Sequence, residues 1–132
     1  MSGPLQPVNP DSLFPPRGFS HGMKGQGEIL FVAGQIGQDR EGRLVSGEFV
    51  AQFAQALDNV LAVVRSAGGA PEAIARMVIY VVDKREYGAR RREVGLVWRE
   101  RLGRHFPAMA LVEVKGLLEH GAWVEIEAIA LL

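Results

Sequence analysis

The chain contains no cysteine among its 132 residues. That excludes disulfides, zinc–cysteine sites, iron–sulfur clusters and a thiol nucleophile, and it fits a reducing compartment. Net charge is missing too: 15 Lys and Arg stand against 15 Asp and Glu. A protein basic throughout, held on nucleic acid by bulk electrostatics, is thereby excluded. Long apolar runs are also absent. The longest, such as Val60 to Val64, span about five residues against the roughly 20 that a membrane-crossing helix needs. The stretch from Met1 to Pro16 holds Pro4, Pro7, Pro10, Pro15 and Pro16 but no basic segment leading into an apolar one, so no secretory signal is read there. A soluble, cytoplasmic protein without membrane contact is the expectation. The sequence lacks a phosphate-binding loop, a paired-histidine zinc motif and a Gly-x-Ser-x-Gly elbow. His21, His105 and His120 lie far apart and are read as loop residues, with no metal site expected.

What is present is an ordinary globular composition, 48% hydrophobic and 23% charged, at a length that suits one domain. Residues 1–17 read as an extended, proline-rich arm and 18–132 as a single domain. Glu28 to Ala33 is a short apolar run bounded by glycines, hence a strand, and Arg43 to Val45 is expected to return as a second. Val50, Phe53, Ala54, Leu57, Val60, Leu61 and Val64 recur at spacings of three and four and predict a helix, with Ser46 as its N-cap and Gly68-Gly69 as its stop. Arg76 to Val82 reads as a β-branched strand. A second helix is expected over 85–104, ended by Phe106-Pro107. Two strands follow, Met109 to Lys115 and Ala122 to Leu131, expected to pair as a hairpin. The order is β-β-α-β-α-β-β, an α+β fold with a mixed sheet and two helices on one face.

The last strand separates into two faces. Val124, Ile126, Ala128 and Ala130 are apolar and belong under the helices, whereas Trp123, Glu125, Glu127 and Ile129 mix bulk with carboxylate. Such a mixture suits a subunit interface with a site in it. Glu125 and Glu127 point to the same face about 7 Å apart. Spacing alone favours inter-subunit salt bridges for the pair; the functional alternative is that one carboxylate, partly desolvated, orients a water. The segment 84–104 carries a local excess of arginine, which reads first as a solvated face with arginine stems over apolar neighbours. No aromatic platform alternates with it, so nucleic acid is not expected as a partner.

Phe31-Val32-Ala33-Gly34-Gln35-Ile36-Gly37, the helix of 52–68 followed by Ile79-Tyr80-Val81-Val82-Asp83, Phe106-Pro107-Ala108 with Val112-Glu113-Val114, and Val124-Glu125-Ile126-Glu127-Ala128-Ile129-Ala130 together resemble the RidA/YjgF/YER057c/UK114 family, also labelled endoribonuclease L-PSP. The resemblance covers about 17–132. It implies a chorismate-mutase-like fold assembled as a homotrimer round a central barrel, with small-molecule clefts between subunits. It also implies hydrolysis of reactive imines and enamines to 2-oxo acids and ammonia, with no metal or organic cofactor. In that family an arginine binds the substrate carboxylate and a glutamate on the last strand positions the attacking water. Glu125 matches the glutamate. Phe19 takes the place of a tyrosine and Ala33 that of a serine, next to Gly34; Tyr87 lies where a helix aromatic lines the cleft. Met109 stands where the arginine belongs, and beyond Ala110, Leu111 replaces a small residue or cysteine.

Methionine cannot make a bidentate, charge-assisted contact to a carboxylate. Arg91, or its neighbour Arg90, is the candidate to supply a guanidinium from another direction; the other reading leaves both in solvent or in an ion pair. The expected function is therefore a cofactor-independent hydrolase of a small C–N substrate. The alternatives are a non-catalytic binding or sensing trimer and, more weakly, RNA cleavage.

Overall fold

Strand β6 (Val124–Leu131) is the axis of the molecule, with neighbours hydrogen-bonded on both sides. A computed structural model describes residues 5–132, so residues 1–4 of the expected arm lie outside the described residues. Two short strands, β1 (Gln6–Val8) and β2 (Gly22–Lys24), pair antiparallel. The main sheet has four strands in the order β3-β6-β4-β5, with β3 (Ile29–Ile36), β4 (Ile74–Val81) and β5 (Ala108–Glu113). β6 runs antiparallel to β3 and β4, and β5 is parallel to β4. Helices α1 (Phe49–Ser66), α2 (Lys84–Ala89) and α3 (Arg91–Leu102) complete an α+β fold.

The alternation of β6 decides the layering. Val124, Ile126, Ala128 and Ala130 are all buried, and their partners on β4, Met77, Ile79 and Val81, are buried with them. Phe53, Leu57, Val60, Leu61 and Val64 of α1 close over this face, and Val94, Trp98 and Leu102 of α3 extend the same core. The opposite face stays open: Ile29 is 60% exposed, Phe31 73% and Val112 42%.

Local chemistry moved several sequence expectations. The terminal strands do not form a hairpin, because β6 inserts between β3 and β4 while β5 takes the far edge. The link of ten residues from 114 to 123 carries the chain across β4, whereas a hairpin turn uses about two to five. Arg43 to Val45 is not a strand. The Asp39 carboxylate accepts the amides of Glu41 and Arg43 at 2.9 and 3.0 Å and curls that segment into a turn, leaving only an isolated bridge between Gln38 and Leu44. Glu48, not Ser46, is the N-cap of α1; the Ser46 hydroxyl instead accepts the Glu48 amide at 2.9 Å. The helix expected over 85–104 is broken at Arg90, whose φ of −110° and ψ of 17° leave helical space. Between Tyr87 and Val94 only Ala89 is apolar, so no stripe exists there to hold one continuous helix against the core. Asp83 caps α2 by accepting the Arg85 amide, and that bond holds its carboxyl below the ordinary range.

Gln52 is the clearest surprise in the core. Off the predicted apolar stripe, it is nevertheless fully buried. Its amide nitrogen donates to the carbonyls of Ser46 (2.9 Å) and Gly121 (3.0 Å), and its oxygen accepts the Trp123 amide at 2.7 Å. One side chain thus fixes the entry to β6 against the start of α1. Gln52→Ala is expected to cost on the order of 3 kcal/mol, since it strands buried partners. Chemical denaturation checks this: the midpoint falls with the slope unchanged.

Candidate functional site

The residues singled out in the sequence divide between the two faces of the sheet. On the open face lie Glu125, Glu127 and Tyr80: Tyr80 sits opposite Glu125 in the ladder, and its hydroxyl donates a short hydrogen bond to Glu127. That bond and the carboxylate's charge raise the phenol's pKa, so Tyr80 remains a donor. Glu127 is therefore held. No side-chain hydrogen bond or ion pair among the described residues reaches Glu125, which is half-buried.

Gly34, next to Ala33 on β3, lies against that carboxylate. The β3–β6 ladder carries an extra residue between Val32 and Gln35, a bulge that brings Gly34 against the Glu125 side chain. A Cβ on Gly34 would fall inside the Glu125 carboxylate. Glycine at 34 thus makes the bed on which the Glu125 head rests. Ala110 pairs with Val78 in the ladder and shares this face.

Met109, Leu111, Tyr87 and Arg91 are on the helical side. Met109 pairs with Met77 and Leu111 with Ile79, both core residues of the covered face. Leu111 packs on the core, while Met109, Tyr87 and Arg91 line a cavity of about 270 Å³ between α3 and the sheet. Tyr87 stands edge-on to Phe49 of α1, with centroids 6.4 Å apart. Trp98 stacks on Phe106 at an interplanar angle of 2° and donates its indole N–H to the His105 carbonyl, which keeps that wall in place. Phe19 joins neither group; it is half-buried and meets His21 edge-on at 5.2 Å.

Arg90 and Arg91 part company. Arg90 is paired to Glu86 at 3.0 Å and Glu93 at 3.5 Å, and these carboxylates raise its pKa further. Arg91 has no ion pair among the described residues and reaches the cavity. Reading the sequence missed Arg17, Gly95, Trp98 and Arg99, which line the same space. The signal was present: Arg91, Gly95 and Arg99 fall at i, i+4 and i+8, one stripe of a helix. Among the described residues, no cluster of three His, Asp or Glu is placed to hold a metal ion, and no helix is long and apolar enough to cross a membrane.

A four-stranded mixed sheet with its helices on one face, and Glu125 over a glycine on the other, defines a chorismate-mutase-like fold of the RidA/YjgF type. The family profile for endoribonuclease L-PSP matches residues 10–132, and the chain belongs to that family. It is 34% identical over 105 residues to a RutC family protein of Pyrococcus horikoshii, covering 79% of each chain. It is 32% identical over 102 residues to the 2-iminobutanoate/2-iminopropanoate deaminase of Capra hircus, covering 76% of this chain and 71% of that one. Among solved structures, a Rid-family protein of Yersinia pestis superposes with a TM-score of 0.87 at 30% identity, covering 98% of this chain and 100% of that one. The YjgF product of E. coli gives 0.70 at 31% identity, covering 86% and 87%.

Proposed function

We propose that this protein hydrolyses a small imine or enamine without a cofactor, in clefts between the subunits of a homotrimer. The observation that carries this reading is the split just described. Glu125 and the cavity of Tyr87, Arg91 and Met109 lie on opposite faces of one sheet. A single chain cannot bring them to one substrate; a neighbouring copy can, when its open face covers the cavity mouth of the first. The exposed Ile29, Phe31 and Val112 supply the apolar surface that such packing buries. The deaminase name of the Capra hircus relative supports the choice of C–N bond.

Chemically, Glu125 accepts a proton from a water whose oxygen adds to the imine carbon. The nitrogen of the resulting carbinolamine takes that proton back from Glu125, the C–N bond breaks as the hydroxyl gives its proton to the Glu125 carboxylate and becomes the carbonyl, and ammonia leaves with a 2-oxo acid behind. One water is consumed and no electrons are exchanged, so the residues needed are a proton acceptor and an anchor for the substrate carboxylate. Met109 cannot be that anchor; Arg91, without an ion pair among the described residues and lining the same cavity, is assigned the role. Arg91→Ala is expected to raise KM for 2-imino acids by about tenfold or more, with a smaller change in kcat, and Arg91→Lys to recover part of the loss. The experiment is ammonia release from freshly generated 2-imino acids, with oligomeric state followed by light scattering. Acceleration by the wild type supports the assignment. A folded trimer giving none leaves the non-catalytic binding reading in its place.

A further inference from the structure

The cavity behind Met109 is built for more than the smallest imino acids. Buried and half-buried apolar residues, Trp98 and Met109 among them, line it together with Arg17, Arg91 and Arg99, which are exposed. Arg91 and Arg99 sit two turns apart on one stripe of α3, with Gly95 between them. A Cβ at Gly95 would meet nothing within 4 Å, so no side chain roofs the space between the two arginines. Arg17 joins the same lining from the segment before β2. None of the three has an ion pair among the described residues. Like charges gathered round an apolar hollow repel one another until an anion arrives, and an anion bound there has its tail removed from water. A cavity of about 270 Å³ has room for a phenyl or indole group, whereas a two-carbon chain leaves it largely wet.

We infer that this cavity selects a monocarboxylate with a bulky apolar tail, aromatic or branched, its tail against Trp98 and Met109 and its carboxylate on Arg91, Arg99 and Arg17. The inference deepens the reading above by naming the substrate class, and it rests on that reading's assignment of the cavity to the substrate.

Equilibrium binding tests it without turnover. The full-length protein is titrated calorimetrically with 3-phenylpropanoate and indole-3-acetate, and with 3-phenylpropanamide and acetate as probes lacking the charge or the tail. Both aryl acids are expected to bind, with the amide and acetate each at least tenfold weaker. Arg99→Ala and Arg91→Ala each weaken the acids about tenfold and leave the amide unchanged. Gly95→Leu, which fills the hollow with a better helix former, abolishes binding of the aryl acids. Equal affinity for acid and amide, no binding of either aryl acid, or an Arg99→Ala variant that binds like the wild type would overturn the inference. Ammonia release without aryl-acid binding removes the selectivity and leaves the imine chemistry standing. Aryl-acid binding without ammonia release does the reverse.

Discussion

Glu125→Gln is expected to lower turnover of 2-imino acids by about 10²- to 10⁴-fold, the range for loss of a positioned proton acceptor. The substitution keeps the size of the side chain, and glutamine fits the bed that Gly34 leaves, so fold and oligomeric state should be unchanged. Glu127 cannot take over, because the Tyr80 hydroxyl already holds it. Glu127→Gln keeps an oxygen for Tyr80 and is expected to retain most of the activity. Steady-state ammonia release from the two variants, measured side by side, checks the asymmetry. Equal losses in both would mean that the pair acts through assembly, as the salt-bridge reading of the sequence has it.

Gly37→Ala should have the largest effect on stability. A Cβ at Gly37 would lie 2.5 Å from the Gln52 Cα and 2.6 Å from its carbonyl oxygen. Both are backbone atoms of a buried helix turn, and neither can move aside as a flexible side chain could. Relief requires β3 to separate from α1, and with it Gln52 to lose the bonds that fix Trp123 and Gly121. A loss of about 4 kcal/mol or more is expected, enough to leave a domain of this size marginally folded. Thermal unfolding checks it: the midpoint should fall by well over ten degrees, or the protein should be recovered unfolded. A near-wild-type midpoint would show that this strand–helix contact yields.

Much of this architecture is legible in the residues themselves. The alternation from Val124 to Ala130 and the stripe from Phe53 to Val64 specify a sheet face and the helix that covers it, and burial follows both. Partnership across long sequence distances is not legible in the same way. Glu125 and Glu127 look equivalent in sequence, and they are told apart by a tyrosine 47 residues before the second of them. Gln52 reads as a surface residue until Gly121 and Trp123 arrive from the other end of the chain. Strand order fails for a related reason: adjacency in sequence suggests a hairpin, while the apolar face of β6 finds better burial between β3 and β4. The site is half legible. Glu125, Arg91 and Met109 were identifiable as candidates, but only the ladder register puts Glu125 and Met109 on opposite faces.

That separation makes subunit complementation the most direct measurement. Glu125→Gln and Arg91→Ala variants, each impaired alone at substrate well below KM, are unfolded together, refolded as a mixture and assayed for ammonia release at that concentration. If each cleft takes Glu125 from one subunit and Arg91 from its neighbour, roughly a quarter of the clefts in a one-to-one random mixture carry both intact residues, and activity rises well above the sum of the two variants. A mixture no more active than that sum, with mixed trimers demonstrated by mass, would contradict a site shared between subunits.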